Sequence, residues 1–386
     1  MTVVTLAQLR AMGEAIGAAA IGATPADPFP EMQPRLEAYR DRGLTGYEWA
    51  ETSDRVDPRR WLPSAKSLIS VAVAYLTPQA QATARRHPQG GLHGQVSVYS
   101  YGIDYHHDLR DRLHTLHGLL EEAVGHPVEA KAAVDTSPLV DRRVAERAGI
   151  GWVGKNCMLY VPPYGSFVFL GTLCVDIEIE PAPSEQASHC GTCTRCLEAC
   201  PTGALLAPGV IDARQCLSYV TQMKGVIPKP YRTKLGRRVW GCDTCQWACP
   251  ENHGVLYAQD PAYVPQGELA YPELIELLTL SNRAFQRKFG QTAMAWRGVR
   301  TLQRNALIAL GNCGNPQAVP HILPFLRHER EELRISAAWA LSRLQTAEGR
   351  AAVAAAYQEE RSEAVREEMA WALDGTAAQH EAAKGV

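Results

Sequence analysis

Of the eleven cysteines in this chain, seven form two runs: Cys190-x2-Cys193-x2-Cys196-x3-Cys200-Pro201 and Cys242-x2-Cys245-x3-Cys249-Pro250. Three thiolates at x2 spacing can wrap one corner of an iron-sulfur cubane, while the fourth, followed by Pro, turns toward a second cluster. Two 4Fe-4S cubanes take four thiolates each, and Cys216, between the runs, is the natural last ligand. The crossed arrangement then assigns Cys190, Cys193, Cys196 and Cys249 to one cluster, and Cys200, Cys216, Cys242 and Cys245 to the other. The chemistry expected is transfer of single electrons.

Structural zinc is the first rival, because Cys-x2-Cys pairs also build four-cysteine sites. The triple x2 run ending in x3-Cys-Pro favours cubanes over discrete zinc pairs. Disulfides fit less well. The cysteine number is odd, the chain is long enough for its own core, and no secretory signal is expected at its start.

These ligands must be carried by folded elements, and the 386-residue length with 46% hydrophobic and 21% charged residues indicates two or three globular domains. No uninterrupted apolar run reaches membrane-spanning length, so a cytoplasmic location without membrane association is expected. The net charge of −2 conceals an uneven distribution. Between Asp212 and Asp243 there is no carboxylate, but Arg214, Lys224, Lys229, Arg232, Lys234, Arg237 and Arg238 are present. Between Glu276 and Glu329 the same holds, with Arg283, Arg287, Lys288, Arg297, Arg300, Arg304 and Arg327. Such stretches suit a polyanion-binding face; solvated surfaces or internal ion pairs are the alternative.

The N-terminal portion to about residue 180 reads as α/β. Leu6 to Ala20 and Asp104 to Val124 carry helical patterns, Ser67 to Leu76 is β-rich, Val128 to Val134 is a short strand, and Leu139 to Ala148 is helical. Asp135, in Asp135-Thr136-Ser137-Pro138, therefore sits at a strand-to-helix turn, where open α/β sheets place ligands, or serves as a helix N-cap. Gly149 to Ile179 is Gly-rich and aromatic, with hairpin strands and loops that let a bulky ligand approach, or glycines that merely serve turns. No Walker loop or GxGxxG fingerprint occurs. Pro181-Ala182-Pro183 leads into the cysteine section, which runs to about Tyr263. Beyond it, Ala309-Leu310, Ala340-Leu341 and Ala372-Leu373 mark equivalent points of three helices, with Arg304, Arg334 and Arg366 standing just before them. That is a HEAT-like repeat footprint. Trp339 and Trp371 are expected within the stack, Cys313 in a Gly311-to-Asn315 turn, and His189 as a local hydrogen-bonding residue.

Together, the Asp135-Thr136-Ser137-Pro138 turn, the Gly149 to Asn156 segment, the cysteine section and the terminal repeats resemble the epoxyqueuosine reductase family over essentially the full length. The resemblance implies a multi-domain α+β chain: a nitroreductase-like α/β cobalamin-binding catalytic domain at 1–180, a bacterial-type two-cluster ferredoxin domain at 181–263, and HEAT-like helical repeats at 264–386. It also implies reduction of the epoxide of epoxyqueuosine at the tRNA wobble position to queuosine, with electrons passing through two 4Fe-4S clusters to cobalamin. The Asp-x-His-x-x-Gly motif that supplies a histidine to cobalt is absent, because Asp104-Tyr105-His106 lacks the Gly, so no protein histidine on cobalt is expected. By position, Asp135 matches the proton donor and a cofactor contact. Arg55, His106, Lys155, Asn156, Ser166, Phe167, Ser218 and Tyr219 match the remaining cofactor contacts. Lys224, Arg232, Arg300 and Arg304 are the expected contacts to the anticodon stem-loop. An unidentified electron donor and a monomeric state complete the expectation. A corrinoid reductase of small molecules, resembling reductive dehalogenases, a non-catalytic iron-sulfur carrier, and a flavin in place of the corrin remain alternatives.

Overall fold

The computed structural model describes residues 3–86, 91–182 and 186–374; Pro183 of the expected connector lies outside them. The chain forms two compact units, neither continuous in sequence: Met1–Gln81, Gly102–Cys216 and Asp243–Val264 make the first, and Ala82–Tyr101, Leu217–Cys242 and Pro265–Val386 the second.

The first unit is built on four strands, β1 (Ala20–Pro25), β2 (Ser67–Ala74), β3 (Ala130–Ala133) and β4 (Val168–Val175), in the order β1-β2-β4-β3. Every residue of β2 is buried, which explains why its sequence, Ser-Leu-Ile-Ser-Val-Ala-Val-Ala, runs apolar or small rather than alternating. All pairings are antiparallel, with Ser67 opposite Val175 and Ala133 opposite Thr172. This corrects one step of the sequence argument: the rule for parallel open sheets does not apply, although Asp135 does follow the carboxyl end of β3.

Helix α1 (Leu6–Ala15) starts at a capping box formed by Thr5 and Gln8. It stops five residues earlier than the pattern to Ala20 suggested. Gly17 takes a left-handed φ of +69°, which turns the chain into β1. Helix α2 (Tyr105–Val124) begins at an Asp104 cap and ends at left-handed Gly125; its buried stripe of Leu109, Leu113, Leu116 and Leu120 repeats at helical spacing. A Cβ on Gly171 of β4 would meet Leu113 at 3.1 Å and Leu109 at 3.4 Å, so the missing side chain lets α2 lie close to the sheet. Helix α3 (Asp141–Arg147) follows the Asp135 turn and buries Val144 and Ala145.

The second unit contains α4 (Leu217–Gln222) and the three repeat helices α5 (Val299–Cys313), α6 (Glu331–Leu344) and α7 (Glu363–Leu373). Ala309, Leu310, Ala340 and Leu341 are fully buried, as the repeat pattern requires. Trp339 is inside the stack, whereas Trp371 lies under Lys229, whose Nζ is 4.3 Å from its ring centre. Cys313 ends helix α5 rather than occupying a turn that starts at Gly311; the turn begins at left-handed Gly314.

The three repeat arginines share one task. Arg334 donates to the carbonyls of His328 and Glu329 and pairs with Glu360 at 2.6 Å. Arg366 donates to the carbonyls of Tyr357 and Glu360. Arg304 is 1% exposed and donates to the carbonyls of Val220, Thr221, Met223 and Gly225. A guanidinium offers five donors in a fixed fork, and burying it requires that they be met. The architecture is multi-domain α+β, and no helix among the described residues is long and apolar enough to cross a membrane.

Candidate functional site

The first expected ligand set is brought together. Cys190, Cys193, Cys196 and Cys249 line one small pocket with Lys155, Asn156, Tyr160 and His189. Burial, and then the neighbouring Cys249 and Cys190 sulfurs, push the Cys196 thiol up. Among the described residues, no three His, Cys, Asp or Glu side chains gather closely enough to hold one metal ion; these four sulfurs stand around a pocket instead. The short helix Arg195–Ala199 ends at Cys200, before Pro201, whereas Cys249 caps the start of the 3-10 turn Pro250–Asn252, whose first residue is the proline.

Of the second set, Cys200, Cys216 and Cys245 belong to the first unit and Cys242 closes a segment of the second. Burial opposes ionisation of Cys200, but the Thr202 hydroxyl and the amides of Thr202, Leu205 and Ala204 hold its thiol below the ordinary range. An N–H-rich cradle of that kind suits a thiolate.

Asp135 lies two residues beyond β3, exposed and with a left-handed φ of +53°. The hydroxyl of Tyr105, the first residue of α2, donates to its Oδ2. The Tyr105 ring is stacked on Phe169 at 4.3 Å and on His106 at 4.1 Å. His106 is fixed in turn by Asp104, which accepts from its backbone N–H at 3.0 Å and contacts Nδ1 at 2.7 Å. Helix α3 is preceded by Val140, which makes no side-chain cap, so the N-cap role weighed for Asp135 is not realised. Arg55 is largely buried, which lowers its pKa, and its Nε has no partner among the described residues.

Several expected contacts are placed elsewhere, for reasons local to the fold. Asn156 is 3% exposed and donates to the Tyr160 hydroxyl at 2.9 Å. Ser166 is 1% exposed and accepts from Gln246 at 3.1 Å and Asn252 at 2.9 Å. Phe167 is fully buried against Tyr75 and Trp247. These three are interior side chains rather than a corrin-facing edge. Lys155 Nζ holds the carbonyls of Gly191 and Cys193 at 2.7 and 2.9 Å, which makes it a clamp on the first cysteine loop. Ser218 and Tyr219 are half-buried on α4, and Ser218 accepts from Gln222 at 3.3 Å. His189 contacts Glu251 at 3.2 Å, in keeping with a local role.

The expected RNA contacts divide in the same way. Lys224 is exposed, together with Lys234, Arg237, Arg283 and Arg287 of the carboxylate-free stretches. Arg300 is half-buried, donating to Gln303 at 3.0 Å and lying 3.1 Å from His328. Arg232 and Arg304 are interior residues, which corrects their expected place on a phosphate-facing surface. Arg232 is 2% exposed and pairs with Glu368 at 2.8 Å.

Three residues escaped the sequence reading. Tyr160 packs with Trp152 against Cys249, and no spacing rule connects them. Asp141 is half-buried, accepts from Thr172 at 3.0 Å, and is pushed up to about 7 by desolvation and then by the charge of Asp135. In sequence it reads as an ordinary first-turn acid. Trp296 is 55% exposed with the Arg297 guanidinium 3.5 Å from its ring centre; the all-basic stretch around it was the available signal.

Comparison with known proteins agrees with this architecture. Residues 55–136 match the family described as epoxyqueuosine reductase QueG, residues 189–252 a 4Fe-4S double cluster binding domain, and residues 300–374 HEAT repeats. The epoxyqueuosine reductase of Bacillus cereus is 40% identical, covering 93% of this chain and 94% of its own. A solved epoxyqueuosine reductase with an epoxyqueuosine-modified tRNA-Tyr stem loop superposes with a TM-score of 0.90 at 37% identity, over 95% of this chain and 97% of that one. The Bacillus subtilis enzyme, solved with its catalytic aspartate loop swung out of the active site, gives 0.89 at 36% identity, over 95% and 98%. With such identity sustained along nearly the whole of both sequences, this chain belongs to the epoxyqueuosine reductase family.

Proposed function

We propose that this chain reduces the epoxide of epoxyqueuosine in the anticodon stem-loop of tRNA to give queuosine. The observation that carries the reading is the full-length identity to epoxyqueuosine reductases, one of them solved with a modified tRNA stem loop. The reaction takes two electrons and two protons per epoxide and releases the oxygen as water, so the protein must relay single electrons and supply an acid. Cys190, Cys193, Cys196 and Cys249 hold one 4Fe-4S cluster, and Cys200, Cys216, Cys242 and Cys245 the other.

The cofactor proposed is cobalamin. A buried Arg55 Nε without a partner among the described residues offers a polar contact, and the stacked rings of Tyr105, His106 and Phe169 offer an apolar one, as the mixed periphery of a corrin requires. Arg55 and His106 would hold it, and when bound it supplies a reducible cobalt centre. Asp135 donates a proton to the departing oxygen. Tyr105 orients its carboxyl, and the left-handed turn presents it to solvent until substrate covers the site. Lys224 and Arg300 meet RNA phosphates while the modified base is splayed out of its loop, since unpaired bases are what proteins read in RNA. The enzyme works as a cytoplasmic monomer that receives electrons from a separate donor.

The test is anaerobic turnover of an epoxyqueuosine-bearing stem-loop by reconstituted protein, read by mass spectrometry of the released nucleoside. Loss of one oxygen atom, dependent on added cobalamin and on about eight irons per chain, is expected. Full iron loading without conversion would reduce the reading to an iron-sulfur carrier.

A further inference from the structure

The glycine-rich segment after α3 contains no residue the proposed reaction needs, yet its geometry is tightly specified. Trp152–Val153 and Leu159–Tyr160 pair as a small antiparallel hairpin. A Cβ on Gly151 would lie 2.2 Å from the Tyr160 carbonyl oxygen, and one on Gly154 would lie 2.6 Å from the Tyr160 ring. Both glycines therefore serve the seating of Tyr160. The Trp152 ring stacks on it at 4.5 Å and 10°.

Tyr160 is thereby held against a ligand sulfur. Trp152, Tyr160 and Cys249 pack in one buried cluster, and Tyr160 lines the pocket of the first ligand set beside Cys249. The neighbours of the hydroxyl leave its proton available to that sulfur. Asn156 Oδ1 accepts from the Met158 N–H at 3.3 Å, which turns Nδ2 toward Tyr160, where it donates to the hydroxyl oxygen at 2.9 Å. With its oxygen accepting from Asn156, the phenol keeps its own proton to offer the sulfur. The same segment supplies a second donor, the Lys155 backbone N–H, 3.4 Å from Cys190 Sγ.

We propose that this hairpin is the outer sphere of the first cluster and sets its reduction potential, with Tyr160 and the Lys155 amide donating to the sulfurs of Cys249 and Cys190. Reduction by one electron adds one negative charge, which spreads onto the thiolate sulfurs. Donors aimed at those sulfurs stabilise the reduced form more than the oxidised one and raise the potential. The inference rests on the reading that Cys190, Cys193, Cys196 and Cys249 hold a cubane, and it is independent of the RNA substrate.

Tyr160→Phe keeps the ring and its stack but removes the donor. In reconstituted full-length protein titrated anaerobically with dithionite and followed by electron paramagnetic resonance, one of the two couples is expected to move negative. The expected size is about tenfold in the reduction equilibrium, about 59 mV for a one-electron couple. Iron content and the other couple stay unchanged. Site-specific fluorotyrosine at position 160, a stronger donor of the same shape, should move that couple the other way, which a merely structural tyrosine would not do. Two unmoved couples at full iron content in Tyr160→Phe would overturn the inference while leaving the ligand set standing. Cys249→Ala tests the ligand set itself. It should abolish the Tyr160-sensitive couple, and survival of that couple would overturn both.

Discussion

Tyr105 and Asp135 are joined by one hydrogen bond from the phenol of the first residue of α2 to the carboxylate two residues past β3. A helix start and a strand end thus hold the proposed acid between them, one supplying orientation and the other position. Asp135→Asn should lower turnover about a hundredfold to ten-thousandfold, the range associated with loss of a general acid. Iron content and stem-loop affinity should not change. Tyr105→Phe should cost much less, about tenfold in turnover with affinity intact, since it loosens the acid without removing it. Single-turnover assays on preformed complex would separate these outcomes from a binding defect.

Asp141 predicts a pH dependence of stability. Its pKa rises on folding from 3.8 to about 7, because burial and then Asp135 oppose its charge. The folded chain therefore keeps a proton that the unfolded chain releases. The associated stabilisation is fully present below the unfolded value and is lost as the pH rises toward and through 7. Asp141→Asn retains an acceptor for Thr172 and cannot ionise. Its denaturation midpoint should vary less than that of the unsubstituted protein between about pH 5 and pH 8. Parallel profiles for the two proteins would contradict this account.

Arg232 and Glu368 form a bidentate pair, 2.8 and 3.3 Å, with the two side chains 2% and 6% exposed. Removing one partner leaves a buried charge uncompensated, so Glu368→Ala should destabilise the chain by about 3–5 kcal/mol. Joint replacement with apolar residues, Arg232→Met and Glu368→Leu, should cost less than Glu368→Ala alone. Denaturant titration of all three variants checks the order.

The cations of the repeat unit should separate by salt dependence. Lys224 is exposed, so Lys224→Ala should weaken stem-loop binding and reduce the slope of log affinity against log salt by about one. Arg304 spends its donors on four backbone carbonyls, so Arg304→Met should lower thermal stability and leave that slope unchanged. A reduced slope in Arg304→Met would put the guanidinium back on the RNA.

What the sequence disclosed and what it withheld follow one physical division. Cluster ligands are legible because thiolates close together in the chain wrap one cubane, so distance along the sequence stands in for distance in space. The repeat helices are legible because burying Ala and Leu at each layer imposes a period. Arg232 and Arg304 are misread because their partners lie 136 and about 80 residues away, and a basic side chain looks the same in a stretch whether it faces water or a carbonyl. Asn156 and Ser166 are polar groups in a glycine-rich segment, and only the fold shows that they satisfy an interior network. For Tyr160 the local signal was present in Gly151 and Gly154, but what those glycines admit is visible only in three dimensions.

The strand that leads to Asp135 is four residues long and is paired on one side only, with β4. Among the described residues its far edge carries no ladder, so the segment beyond it can detach without breaking any bond among the other three strands. Mechanically, the acid is mounted on the part of the sheet that is cheapest to peel. Amide hydrogen exchange should run faster across Ala130–Ala133 than across the fully buried β2.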